Sequence, residues 1–88
     1  MATTLSADVM QDELAMSLAQ VIAAANRTAR EAGRKLEDCL VTITQHTESA
    51  RPFWRVAYGP RDYVGRRGGD LIVDVDEDGK VREVLLGQ

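Results

Sequence analysis

The run Asp74-x-Asp76-x-Asp78-Gly79 has the alternation of a calcium-binding loop, in which oxygens at every second position surround a hard cation and a sixth-position Gly allows the sharp turn. Such a loop closes with a bidentate Glu at its twelfth position. Counted from Asp74, that position is Leu85, and Glu83 falls at the tenth. The carboxylates are therefore read as decoration of a hairpin, for which Asp78-Gly79 is a favoured turn of the type I′ kind. Asp74, Asp76 and Asp78 stand as weak metal candidates, and no metal or other cofactor is expected. Cys39 and His46 offer one thiol and one imidazole, the pair that an activated thiol nucleophile needs. In an extended segment they would sit about 23 Å apart with side chains on opposite faces. Cys39 is read as a small core residue and His46 as a solvent-facing strand residue. One His and one Cys leave no Ser-His-Asp order and no zinc ligand set, and no Gly-rich phosphate loop is present. No catalytic residue is expected, and the chain is read as non-enzymatic.

Charge is the more informative constellation. Residues 51–67 carry Arg51, Arg55, Arg61, Arg66 and Arg67 against Asp62, a local balance of +4. Residues 70–83 carry Asp70, Asp74, Asp76, Glu77, Asp78 and Glu83 against Lys80 and Arg82, a balance of −4. An Arg-rich loop beside Phe53, Trp54, Tyr58 and Tyr63 could bind a phosphate, a nucleic acid strand or an acidic protein. The competing reading is that the two segments pair with each other and solvate the surface.

The elements that must position these groups follow from periodicity. From about Ser6 to Ala32, Met10, Leu14, Leu18, Val21, Ile22, Ala25 and Ala29 recur at helical spacing and predict one long amphipathic helix of about 36 Å. Ser6 or Asp8 can cap its start, Asp8 and Gln11 form a possible capping box, and Gly33 ends it. Beyond Gly33 the period changes to two. Strands are expected over Cys39–His46, Phe53–Tyr58, Asp70–Val75 and Val81–Leu86, with a turn in the polar stretch Thr47–Pro52 and Gly59-Pro60 stopping the second strand. Residues 59–69 read as a flexible connection. Trp54 and Tyr58 are expected to face the helix. Val81 and Leu85 have one parity and Val84 and Leu86 the other, a conflict that a bulge would resolve.

Eighty-eight residues allow one domain with one core, 1–88, the helix at about 6–32 and the sheet at about 39–86. The composition, 44% apolar and 28% charged, is that of a folding globular chain. A net charge of −3 disfavours binding to nucleic acid or anionic membrane by bulk charge. A lone cysteine fits a reducing compartment. The first basic residue is Arg27 and no long apolar run occurs, so neither a signal peptide nor a membrane span is expected, and a cytoplasmic location is. Nine of the 11 basic residues are Arg, a bias compatible with a GC-rich bacterial or phage genome.

A helix followed by four antiparallel strands is an α+β arrangement in which a curled sheet wraps one long helix. It resembles the cystatin-like class of folds. Over residues 54–86, Trp54-x-Val56, then Gly68-Gly69, then Leu71-x-Val73-x-Val75-Asp76 and Asp78-Gly79-Lys80-Val81 resemble the C-terminal half of PepSY-type domains and of small nuclear-transport-factor-like immunity proteins. That resemblance implies a non-catalytic binder, such as a peptidase inhibitor or a blocker of a bacterial toxin. The sheet face away from the helix should present Leu40, Phe53, Ala57 and Ile72 among Thr42, Thr44, Arg55 and Asp74, an apolar patch with a charged rim. The expectation is a protein-binding module acting through Leu40, Phe53, Arg55 and Ile72 and, in the loop, Arg61, Arg66 and Arg67. The alternatives are nucleic-acid or phosphate binding through those three loop arginines, and a homodimeric structural protein without ligand.

Overall fold

Ser6 opens the helical segment of the chain, but the helix does not run unbroken to Ala32. In the structure, a computed structural model that describes residues 5–60 and 70–86, a short helix α1 (Ala7–Met10) precedes the main helix α2 (Glu13–Glu31). Asp12 causes the break. Its backbone is extended, and its carboxylate accepts the Ala15 amide at 3.0 Å, so it caps a new helix instead of continuing the old one. Ser6 caps α1 by accepting the Val9 amide, and the Asp8–Gln11 box is not used. Gly33, at φ +88°, takes the left-handed conformation that ends α2, as expected. A 3-10 turn, Leu36–Asp38, then leads into the sheet.

The sheet is an antiparallel meander of β1 (Cys39–Glu48), β2 (Arg51–Pro60), β3 (Leu71–Asp76) and β4 (Val81–Leu86), in that spatial order. The first two strands are longer than the expected 39–46 and 53–58. Gly59 and Pro60 do not stop β2: they pair with Leu40 and Cys39 of β1. Proline is tolerated there because pairing to β3 has already ended at Tyr58, leaving no partner carbonyl for an amide it lacks. The β1–β2 turn shrinks to Ser49-Ala50, both left-handed at φ 52° and 65°, which is the type I′ geometry. At Asp78-Gly79 only Gly79 has positive φ (83°), and its amide donates to the Asp76 carbonyl at 3.0 Å. That hairpin is a type I turn followed by a left-handed Gly, not the expected type I′. The parity conflict in β4 is resolved by a register shift: Asp74 pairs with Glu83 but Val75 pairs with Val81. Arg82 is the extra residue, and Val81, Val84 and Leu86 all fall on the helix side.

The core lies between α2 and the middle of the sheet. Val21, Ala25 and Ala29 of the helix meet Val56, Tyr58, Leu71, Val73 and Val75, with Cys39 at one end and half-buried Trp54 and Leu36 beside them. Full burial of each large member contributes about 1.5–3 kcal/mol. Alanines at 25 and 29 let the helix sit close to β3 and β2, the strands it rests on. The start of the predicted stripe is not covered: Leu14 and Met10 are exposed. The buried residues of α2 begin only at Val21, in its third turn.

Ser49 and Ala50 each hold a conformation costing a side-chain-bearing residue about 1 kcal/mol. Ser49→Asn with Ala50→Gly should raise the free energy of unfolding by about 1–2 kcal/mol, read from the urea midpoint; an unchanged or lower midpoint would rule out the type I′ turn. Tyr58 is fully buried, and its hydroxyl donates to Asn26 Oδ1 at 2.7 Å. Burial pushes its pKa from 10.0 up to about 12, against a smaller lowering by Arg30. A tyrosine whose pKa is raised by folding favours the native state fully below its unfolded value, and that favour is lost as pH climbs through the folded value. Tyr58→Phe should cost about 1 kcal/mol at neutral pH, and the difference from wild type should vanish or reverse between pH 10 and 12. Parallel stability curves for the two proteins across that window would contradict the assignment.

Candidate functional site: the sheet face away from the helix

Register builds this face in rows. Thr42, Ala57, Ile72 and Leu85 form one row, Thr44, Arg55, Asp74 and Glu83 the next, and His46, Phe53 and Asp76 the third. Among the described residues no helix or strand lies over it. Leu40 (48% exposed) and Leu85 (37%) stand at its margins, with Ile72 half-buried between them.

The middle row is organised by one ion pair. Asp74 is only 4% exposed, and its two oxygens accept from Arg55 Nε at 2.8 Å and Nη2 at 2.9 Å. This bidentate geometry matches the guanidinium fork to the carboxylate plane. The hydrogen bonds to Asp74 raise the pKa of Arg55 above its ordinary value, against the opposing effect of desolvation. The pair joins the +4 segment to the −4 segment, so at this point the two balances neutralise each other across strands.

Phe53 was expected as an exposed apolar contact, but it is 7% exposed. His46 stacks on it with ring centroids 5.4 Å apart. The guanidinium carbons of Arg82 and Arg55 lie 4.5 and 5.7 Å from its ring centre, within cation–π range. Arg82 is held in place by Glu48, at 2.9 Å, and His46 shares a 2.8 Å hydrogen bond with Thr44. Phe53 therefore anchors a cluster rather than offering a free ring. Of the residues expected to make up the site, Leu40, Arg55 and Ile72 share the face, Phe53 lies beneath it, and Arg61, Arg66 and Arg67 lie outside the described residues. His46, expected as a solvent-facing strand residue, lies on the face, and Leu85, Glu48 and Arg82 complete it and were not anticipated. Only the parity conflict in β4 pointed towards the role of Arg82.

The metal candidates are not brought together. Asp74 is engaged by Arg55, and Asp76 Oδ1 accepts the amides of Asp78 and Lys80, both at 2.9 Å. No group of three or more potential ligands is found among the described residues. Cys39 and His46 lie on opposite faces, as their parity requires, and the Cys39 thiol donates to the Lys35 carbonyl at 3.3 Å. An open notch of about 240 Å³ between the two hairpin ends gathers Glu48, Asp76, Glu77 and Asp78 with Arg51 and Arg82. None of its acids is buried, so it lacks the apolar surroundings that prepare a carboxyl for proton transfer. No described helix is long and apolar enough to cross a membrane.

Loss of either partner of the Arg55–Asp74 pair should be unequal in cost. Arg55→Met keeps the aliphatic cover over Phe53 but strands a buried carboxylate, at a cost of about 3 kcal/mol. Asp74→Ala leaves a guanidinium that is 37% exposed and can hydrate, so it should cost at least about 1 kcal/mol less. Equal losses in urea unfolding would show that Asp74 is not desolvated.

Compared with family models, with curated proteins and with solved structures, the chain matches none. Its fold is a helix packed on one four-stranded antiparallel sheet, an α+β architecture.

Proposed function

We propose that the chain is a small non-enzymatic protein-binding module that engages its partner through the sheet face turned away from the helix. The observation that carries this reading is the construction of that face. It has no covering element among the described residues, yet its centre is fixed by a bidentate ion pair and a cation–π cluster. Its margins hold Leu40, Ile72 and Leu85. Arginines and aromatics held in one geometry beside modest apolar area are the usual anchors of protein interfaces, and prior ordering lowers the entropic cost of binding. Within this reading the fold is of the cystatin-like type, and the resemblance to immunity-type proteins makes an inhibitor of a bacterial toxin the most concrete partner relation. In this reading Arg61, Arg66 and Arg67, which lie outside the described residues, add to the contact.

Nucleic-acid or phosphate binding is the weaker reading, because Arg55 and Arg82 are already committed to Asp74 and Glu48. Affinity capture from the native host with wild-type protein, followed by calorimetry on the purified partner, separates the two. Leu85→Glu should weaken a protein partner at least tenfold, about 1.4 kcal/mol, with circular dichroism unchanged. Replacing Arg61, Arg66 and Arg67 by Ser should have a smaller effect. Tight, steeply salt-dependent binding of an oligonucleotide that is lost in the triple Arg variant would overturn the proposal.

A further inference from the structure

The two edges of the sheet differ in how they are protected. β4 is six residues long and carries Arg82, Glu83 and the register shift, the charges and bulge that discourage pairing with another strand. β1 has ten residues, and from Cys39 to Gln45 it reads Cys-Leu-Val-Thr-Ile-Thr-Gln, without a charge, a proline or a bulge. No strand pairs with its outer side among the described residues. About half of its amides and carbonyls therefore point away from β2. On its helix side Val41 and Ile43 are 41% and 36% exposed, because α2 rests mainly on β3 and β2.

We infer that β1 pairs with β1 of a second copy of this chain, antiparallel about a two-fold axis at Thr42, to make a continuous eight-stranded sheet. The strand's own pattern selects the occupant and the register. With helices on the same side of the joined sheet, residues facing each other must have the same parity, so only registers with an even sum of residue numbers are allowed. Centring on Val41 sets Ile43 against the buried Cys39, and centring on Ile43 sets Val41 against Gln45. Centring on Thr42 sets Val41 against Ile43 of the second copy twice, a pair of β-branched contacts on one face, with Thr42 against Thr42 on the other. No like charges meet, and His46 comes level with Asp38 of the second copy. The row Thr42, Ala57, Ile72 and Leu85 then continues through the axis into its symmetry mate, doubling the outward face.

Sedimentation equilibrium over micromolar concentrations tests the pairing, with hydrogen exchange locating it. Wild type should show twice the monomer mass, with slow exchange in β1 amides and not in those of β4. Thr42→Lys and Thr42→Glu each place like charges opposite each other on an exposed position and should weaken the dimer at least tenfold while leaving circular dichroism unchanged. An equal mixture of the two should recover the dimer. A monomeric wild type overturns the inference, as does a dimer indifferent to both variants or protected along β4 instead. Failure of the mixture to recover the dimer overturns the Thr42-centred register.

Discussion

One α-helix is narrower than four β-strands, and most of what is distinctive in this fold descends from that mismatch. Strand axes about 4.8 Å apart spread a four-stranded sheet over roughly 14 Å before side chains are added, whereas a helix with its side chains is about 10 Å wide. α2 can cover only two strands and takes β3 and β2. The core is accordingly confined to Val56, Tyr58, Leu71, Val73 and Val75 under Val21, Ala25 and Ala29. Small helix residues draw the layers together, and a single large side chain, Tyr58, fills the space that remains and ties its hydroxyl to Asn26. The outer strands receive no such cover, so Val41 and Ile43 at one side and Val81, Val84 and Leu86 at the other keep apolar surface on the helix side.

The opposite face meets a different constraint. An antiparallel sheet with one wet face ordinarily alternates apolar inside and polar outside, and β2 and β3 follow that pattern closely enough to place Arg55 and Asp74 directly opposite each other. What the pattern does not require is a carboxylate that is almost fully buried. Asp74 sits between neighbouring strands under the flat guanidinium of Arg55, and the cost of desolvating it is offset by two charge-assisted hydrogen bonds. Phe53 is covered in the same way, by His46 and two arginines instead of by a second layer of aliphatic side chains. Polar groups thus act as a thin lid over the solvent face of the sheet.

Four strands and the faces of the residues in 39–46, 53–58 and 71–75 were legible in the sequence, because period-two alternation is a local signal. Tyr58 and Trp54 towards the helix and Cys39 apart from His46 followed from the same parity. The helix break was not legible from hydrophobic spacing, since Met10 and Leu14 continue the stripe. Asp12 overrides it by local capping, and the stripe's first residues, Met10 and Leu14, stay exposed. Neither hairpin has the geometry that its residues suggest. Asp78-Gly79 carries the residues favoured in a type I′ turn, yet Asp76 uses its own carboxylate to bind the following amides and fixes a type I turn. Ser49-Ala50 carries neither Asn nor Gly, yet the tight register from Thr47–Pro52 to Glu48–Arg51 leaves only two residues to reverse the chain. The burial of Phe53 depends on Arg82, a contact between distant segments for which no local pattern exists.

Arg82 connects these threads. Because Val75 pairs with Val81 while Asp74 pairs with Glu83, Arg82 is surplus to the ladder and its side chain is released onto the outward face. There it lies over Phe53 and reaches Glu48 at the far end of β1, so one bulged residue in the last strand ties β4 to β2 and β1 across the outward face. The same irregularity twists and charges the free edge of β4, which makes that edge a poor template for another strand. β1 has no comparable device, since the strand-long pairing with β2 is regular from Cys39 to Glu48. A single insertion therefore builds the outward cluster and closes one edge of the sheet, and it leaves any further growth of the sheet to the other.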